Sequence, residues 1–263
     1  MMDLESELLA SALAPLKLGW WTYFPELGST NDQALDWVKA GAPDWSMVVA
    51  DSQTSGRGRN ERRWVTRPGS GLAISLVLRL TEVETNAVTR FTALAALGLI
   101  NLLEKMGVSA EIKWPNDILL GGKKVAGILV EGDWSGDNLN ALVVGMGVNV
   151  SVGAVPDAKT LRYPATSIEE VLRVPVKRWE ILAGVLESMQ SLRKTLMGET
   201  FIDLWNDHLA FRGQLVALKQ HNQPVQQVRI IGIDQTGGLR IEKENGERTT
   251  INTGEIMVSE RGG

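Results

Sequence analysis

Between residues 52 and 67 five arginines (Arg57, Arg59, Arg62, Arg63 and Arg67) stand against the single Glu61, a local charge of +4 (five minus one) in a chain whose net charge is −4. Such a concentration suits an anion. Gly58 carries no side chain between Arg57 and Arg59, so the backbone can approach a phosphate while two guanidinium forks close on its oxygens. A solvated basic loop, or a dock for a phosphorylated partner, has the same composition, because charge runs commonly face water. Two nucleotide motifs are absent. Glu61 occupies the position at which G-x-G-x-x-G needs its third glycine, and G-x-x-x-x-G-K-[ST] occurs nowhere.

Three further segments carry chemistry-bearing residues. In Lys113-Trp114-Pro115-Asn116-Asp117 the proline forces Trp114 into an extended conformation and ends a strand, so Asn116 and Asp117 project from its terminus. An amide beside a carboxylate can hold hydrated magnesium on phosphates, and the same pair equally caps a turn. In the run from Gly121 to Glu131, Lys124 sits where a hairpin turn gives way to an apolar strand, with Gly127 three residues on. A lysine entering an apolar sheet needs a counter-charge, which a bound carboxylate or phosphate would supply; Lys123 and Lys124 would also guard a hairpin edge. Gly145 and Gly147 weaken a strand unless something passes close to them, and Asn149 could then read an amide-like edge such as adenine; a β-bulge is the plainer reason for the glycines.

The elements that must position these residues follow from hydrophobic period. A short helix over 4–13 and an aromatic strand over 20–24 precede Ser29, Thr30 and Asn31, whose oxygens are placed to cap a helix. Strands are predicted over 47–50, 72–80, 110–114 and 141–150, and a hairpin over 118–131 turning at Gly121-Gly122. Residues 52–71 show no periodicity and are expected to form a long loop of the kind that is functional or mobile. A buried helix is predicted over 87–106. Trp179, Leu182, Val185, Leu186, Met189, Leu192 and Leu196 mark an amphipathic helix over 176–196 whose stripe is expected to pack on a sheet. After residue 212 only short strands remain (215–219, 225–233, 239–243, 248–251, 255–258), so the chain divides into 1–212 and a β module over 213–263. The class is α+β, a mixed sheet packed with helices followed by a small β-barrel.

Composition narrows the function. The chain of 263 residues has no cysteine, which removes disulfides, thiolate metal sites and cysteine nucleophiles, and only two histidines, His208 and His221, both read as surface residues. The net charge of −4 argues against nucleic acid as the main partner. An acidic N-terminus without a basic n-region, and no apolar run near ~20 residues, predict a cytoplasmic protein that meets no membrane.

Taken in order, these segments resemble the biotin protein ligases over nearly the whole chain. The match includes Ser29-Thr30-Asn31, Gln53 with Gly56-Arg57-Gly58-Arg59 and Trp64, Lys113 to Asp117, Lys124 to Glu131, Gly145 to Asn149, and Gly232-Ile233-Asp234, Gly238 and Gly254-Glu255 in a module similar to the family's SH3-like barrel. The resemblance implies a catalytic domain of the class II synthetase-like kind. It also implies the activity: ATP activates biotin as biotinyl-adenylate, and the biotinyl group passes to a lysine of the biotin carboxyl carrier protein.

By resemblance Lys124 and Arg59 are the catalytic cations, Lys124 bonding biotin's carboxylate and the developing charge. Ser29, Thr30, Asn31, Gln53, Gly56, Arg57, Gly58, Arg59, Lys124 and Gly127 form the biotin site with Trp64 over it. Arg57, Arg59, Lys113, Asn116 and Asn149 serve the nucleotide, Trp114 is a second aromatic candidate for a ligand role, and Asn116 with Asp117 is the candidate for magnesium. No covalent nucleophile is needed, because the carrier's lysine attacks a mixed anhydride that is already reactive. Asn60 and Glu61 depart from the family's arginine motif, which leaves retention of the intermediate open. The 28 residues before Ser29 are too few for the helix-turn-helix domain that some members carry, so direct DNA binding is not expected; monomer and homodimer both stay open.

Lipoate protein ligase, which shares the fold and the adenylation chemistry, is the nearest rival. Octanoyltransferases need the cysteine this chain lacks, and a non-catalytic biotin sensor would have no use for Lys124.

Overall fold

The computed structural model describes residues 4–60, 62–221 and 223–257, so the departure at Glu61 lies outside the described residues. Six helices, α1 (Leu4–Leu13), α2 (Thr30–Lys39), α3 (Arg90–Lys105), α4 (Ile168–Leu172), α5 (Arg178–Arg193) and α6 (Glu199–Asp207), accompany seven strands of a first sheet: β1 (Trp21–Leu27), β2 (Ser46–Gln53), β3 (Gly71–Leu78), β4 (Ala110–Lys113), β5 (Asp117–Leu120), β6 (Lys123–Ser135) and β7 (Asn138–Asn149). Their order is β1-β2-β3-β7-β6-β5-β4, with β1 parallel to β2 and every other pair antiparallel.

Alternation along the central strands separates two faces. Leu72, Ile74, Leu76 and Leu78 of β3, with Leu142, Val144, Met146 and Val148 of β7, enter the main core under α3, whereas Val77, Ala141 and Val143 face the smaller core under α2. Ser75, Gly145 and Gly147 have the parity of this second face, which is therefore where a site can open.

Helix α3 is apolar nearly all round and lies between the sheet and α5, which accounts for its burial. The stripe of α5 was expected to pack on a sheet; it packs chiefly on α3, because Gly98 and Gly184 let the two helices approach, Gly98 beneath Met189 and Gly184 beneath Leu102. Helix α3 also starts later than predicted, since residues 84–87 form a separate 3₁₀ turn.

The C-terminal strands β8 (Leu215–Lys219), β9 (Gln226–Ile233), β10 (Leu239–Lys243), β11 (Arg248–Ile251) and β12 (Glu255–Met257) form one antiparallel sheet of order β11-β10-β9-β8-β12. Among the described residues β11 and β12 do not pair, so no closed barrel is formed by hydrogen bonds. The β9–β10 turn fastens this module to the first: Arg90 donates to the carbonyls of Leu196 and Gln235 (2.7 Å each), and Ile233 N donates to Asn206 Oδ1 (2.7 Å). Trp114, 2% exposed, donates its indole N–H to Gly237 O at 3.3 Å and thus serves the same junction. His208 is not a surface residue but half-buried between Ala110 O and Glu104. No helix among the described residues is long and apolar enough to cross a membrane.

Candidate active site

A cavity of about 140 Å³ opens on the α2 face of the sheet, between α2, the arginine-rich segment, and the glycines of β6 and β7. Of the residues singled out from the sequence, Ser29, Thr30, Asn31, Gln53, Arg57, Gly58, Arg59, Trp64, Asn116, Asp117, Lys124 and Gly127 line it; Gly56, Lys113 and Asn149 do not.

Its polar end is built at the start of α2. Ser29 holds the N-cap position with extended backbone (φ −149°, ψ 132°) but makes no side-chain capping bond, contrary to expectation. Gln53 supplies the cap instead: its Oε1 accepts from Thr30 N at 2.9 Å and Thr30 Oγ1 at 3.1 Å. The amide arm of β2 thus satisfies a free helix-end donor. Asn31, buried, donates Nδ2 to Glu131 Oε2 and accepts from Ser75 Oγ, both at 2.5 Å. Gly145 is required here, since a Cβ at that position would overlap the Asn31 amide.

Within the stretch expected as a long loop, residues 56–60 and 62–64 form a small irregular hairpin. Gly58 N donates to Arg62 O (2.7 Å), Trp64 N donates to Gly56 O (3.0 Å), and Arg57 bridges Arg63. Asn60 turns it in the left-handed region (φ 55°), which asparagine tolerates better than most residues. A Cβ on Gly56 would stand 2.5 Å from Trp64 O, so Gly56 acts by closing the hairpin. This fold brings Trp64 onto Gly147 and over Gly127, its register partner across β6 and β7.

The arginines then separate by partner. Arg57 pairs with Asp32 (2.6 Å) and Glu131 (3.2 Å); burial works against its charge, but Glu131 and Asp32 outweigh it and raise its pKa above the ordinary value. Arg62 pairs with Glu255 of β12, Arg63 donates to Thr54 O, and Arg67 to Gly153 O. The Arg59 side chain, half-buried, has no hydrogen bond or ion pair among the described residues, and burial lowers its pKa although Asp117 and Glu255 favour its charge. It is the guanidinium left available to an incoming anion.

Lys124 reaches the cavity because of a β-bulge. Leu119 faces Lys124 and Ile118 faces Ala126, so Val125 is the extra residue. Without it, Lys124 would share the core-facing parity of Ala126 and Ile128; with it, Lys124 Nζ lies beside Gly127 and within 5.6 Å of the Trp64 ring centre. The crossing segment holds the backbone there, Lys124 N donating to Pro164 O (2.8 Å) and Thr166 N to Lys124 O (2.9 Å). The expected counter-charge is internal: Lys124 Nζ lies 2.5 Å from Asp117 Oδ1.

Lys113 sits behind this pair, buried, 3.9 Å from Asp117 and 4.4 Å from the centre of the Tyr163 ring. Burial lowers its pKa against the pull of Asp117. It lines a smaller hollow of about 20 Å³ with Arg59, Arg62 and Glu255, where the C-terminal module meets the first. Asn149, buried, donates its amide to Thr166 O at 3.0 Å. No three His, Cys, Asp or Glu side chains cluster to hold a metal among the described residues. Asn116 donates to Ile128 O (2.7 Å) and Asp117 serves two lysines, so the pair does not form a cage for a resident ion; a cation ligated mainly by phosphate and water needs only one or two protein oxygens.

Sequence reasoning assigned no role to Ser75, Asp32 or Glu131. Glu131 had a readable signal, since it shares the strand parity of Gly127; Ser75 and Asp32 lie in an apolar strand and on a helix turn and had none.

Residues 23–149 match the Biotin/lipoate A/B protein ligase family, and residues 212–259 match the Biotin protein ligase C terminal domain. The chain is 31% identical over 228 residues to the bifunctional ligase/repressor BirA of Bacillus subtilis, covering 85% of this chain and 70% of that protein. It is 42% identical over 141 residues to the biotin–[acetyl-CoA-carboxylase] ligase of Paracoccus denitrificans (52% and 57% covered). Among solved structures, biotin protein ligase from Aquifex aeolicus in complex with biotin and ATP superposes with a TM-score of 0.75 at 26% identity, over 90% of this chain and 97% of that one.

Proposed function

This chain belongs to the biotin/lipoate A/B protein ligase family, as one of its biotin protein ligases, and from that premise we propose that it biotinylates the carrier domain of a biotin-dependent carboxylase. A carboxylate oxygen of biotin attacks the α-phosphorus of ATP, forming biotinyl-adenylate as pyrophosphate leaves. The neutral amine of a carrier lysine then attacks the acyl carbon, AMP departs with the bonding pair, and the amine's extra proton passes to solvent.

The convergence of two cations, Lys124 and Arg59, whose side chain has no partner among the described residues, on a polar cradle roofed by Trp64 carries this reading. Two anions must meet in the first step, and preorganised cations lower that barrier without reorganising at the moment of reaction. Lys124 faces the carboxylate and the α-phosphate. Arg59 holds the phosphate side, with Lys113 behind it for the departing pyrophosphate. Ser29, Thr30, Asn31 and Gln53 orient biotin's ring, and Trp64 excludes water from the anhydride. Magnesium enters with ATP as part of the substrate, with Asn116 and Asp117 as the protein oxygens that would touch it. Asn149, held by Thr166, would serve the nucleotide side through its Oδ1 or its second N–H. The setting is cytoplasmic, with carrier protein, biotin and ATP as partners, as monomer or homodimer, and without direct contact with DNA or membrane.

ATP–pyrophosphate exchange with magnesium, run in parallel with biotin, lipoate and octanoate, tests the reading. Exchange with biotin alone is expected. Exchange with lipoate alone would move the chain to the lipoate branch, and biotin binding without exchange would make it a sensor.

A further inference from the structure

Glu131 stands on β6 where the cavity meets the arginine hairpin, on the same face as Gly127 and Leu129. Its Oε2 accepts from Asn31 Nδ2 at 2.5 Å, and its two oxygens accept from Arg57 at 3.2 and 3.3 Å. A carboxylate can only accept, so the Asn31 nitrogen must face Glu131 and its oxygen must face Ser75 Oγ, 2.5 Å away. Absent these two partners, a half-turn of the amide would exchange donor for acceptor at a position that lines the cavity. Arg57, the first arm of the hairpin, is held over the cavity mouth by the same carboxylate and by Asp32.

We propose that Glu131 is a positioning residue for the acid-binding site: it sets the orientation of the Asn31 amide and anchors Arg57, so one carboxylate fixes both the floor contact and the closing arm. Ser75 Oγ, which also lies 2.8 Å from Thr30 Oγ1, meets the Asn31 oxygen from the opposite side but can donate or accept, so the direction is set by Glu131. The inference rests on the biotin reading of the cavity.

The test is biotin binding by calorimetry without ATP, together with exchange kinetics, for wild type, Glu131→Ala, Glu131→Gln, Ser75→Ala, Asn31→Ala and the Asn31→Ala/Glu131→Ala double variant, each below its own melting temperature. Glu131→Ala is expected to weaken biotin binding by about tenfold or more, as loss of a charged hydrogen-bond partner does. KM for ATP should stay within about threefold of wild type. Glu131→Gln, which keeps an acceptor for Asn31 but loses the charge that holds Arg57, should fall between. The double variant should lose less than the product of the two single losses, because the Asn31 part of the Glu131 effect is already gone and only the Arg57 part remains. Multiplied losses in the double variant, or a Glu131→Ala affinity within about twofold of wild type, would overturn the proposal. If Glu131→Ala does not fold, Glu131→Gln decides it through the same biotin-selective loss. Failure of the underlying reading looks different, since the wild-type chain would then bind no biotin.

Discussion

Lys124 of β6 and Asp117 of β5 form an ion pair of 2.5 Å at the edge of the cavity, so the cation that faces the incoming anions is already balanced by a carboxylate of the adjacent strand. The lysine is therefore held in place before any ligand arrives, and the polar cost of its partial burial is met inside the protein.

Lys124→Ala should slow biotin-dependent ATP–pyrophosphate exchange by ~10²-fold or more, the usual cost of removing one preorganised charge from a transition state. Asp117 retains Lys113 as a neighbour, so the fold should persist, as circular dichroism would check. Near-normal exchange in this variant would remove Lys124 from the mechanism.

Asp117→Asn removes the carboxylate shared by Lys124 and Lys113, and its signature in the pH profile should come from Lys113. Burial lowers the pKa of Lys113, and Asp117 opposes that fall. Taking the carboxylate away lowers it further, so Lys113 loses its proton at a lower pH than in wild type. The alkaline rise of KM for ATP, followed between about pH 7 and 10, should move to lower pH. A rise that stays put or moves upward would mean that Lys113 does not serve the nucleotide.

Arg59→Gly should let biotinyl-adenylate escape, because Arg59 is the arginine of the hairpin with no described partner to lose and an anion to hold. Dissociation of the intermediate, chased with excess biotin, is expected to accelerate by about tenfold or more, as for loss of one charge-assisted contact. Retention as tight as in wild type would end the clamping role.

Gly147→Ala places a Cβ well inside van der Waals contact of the Trp64 indole. The indole must tilt off the strand, so biotin affinity should fall and Trp64 fluorescence should change, while the loss of stability stays within the ~1–3 kcal/mol typical of overpacking. Affinity equal to wild type would show that Trp64 does not roof the ligand.

Much of this architecture was legible along the chain. Apolar runs over residues 72–78 and 141–148 marked the central strands, and the arginine cluster, Lys124 and the glycine pair marked residues that line the cavity. The hairpin of residues 56–60 and 62–64 was not legible, because it is held by backbone bonds between irregular residues and has no apolar face to leave a pattern. The partner of α5 escaped for a related reason: an apolar stripe announces that something covers it, not whether a sheet or a helix does.

Residue types and their spacing settled which groups are present, and with them the class of chemistry: cations for anions, no thiol, glycines where close approach is needed. Tertiary structure settled which cation is free and which way each one points. Arg57, Arg59 and Arg62 are alike in sequence, but Asp32 and Glu131 occupy the first, Glu255 from the far end of the chain occupies the third, and only the second is left for a ligand among the described residues. Lys124 faces the site because one extra residue at Val125 reverses its side of the strand. Both outcomes depend on groups brought together from distant parts of the chain, which local pattern does not encode.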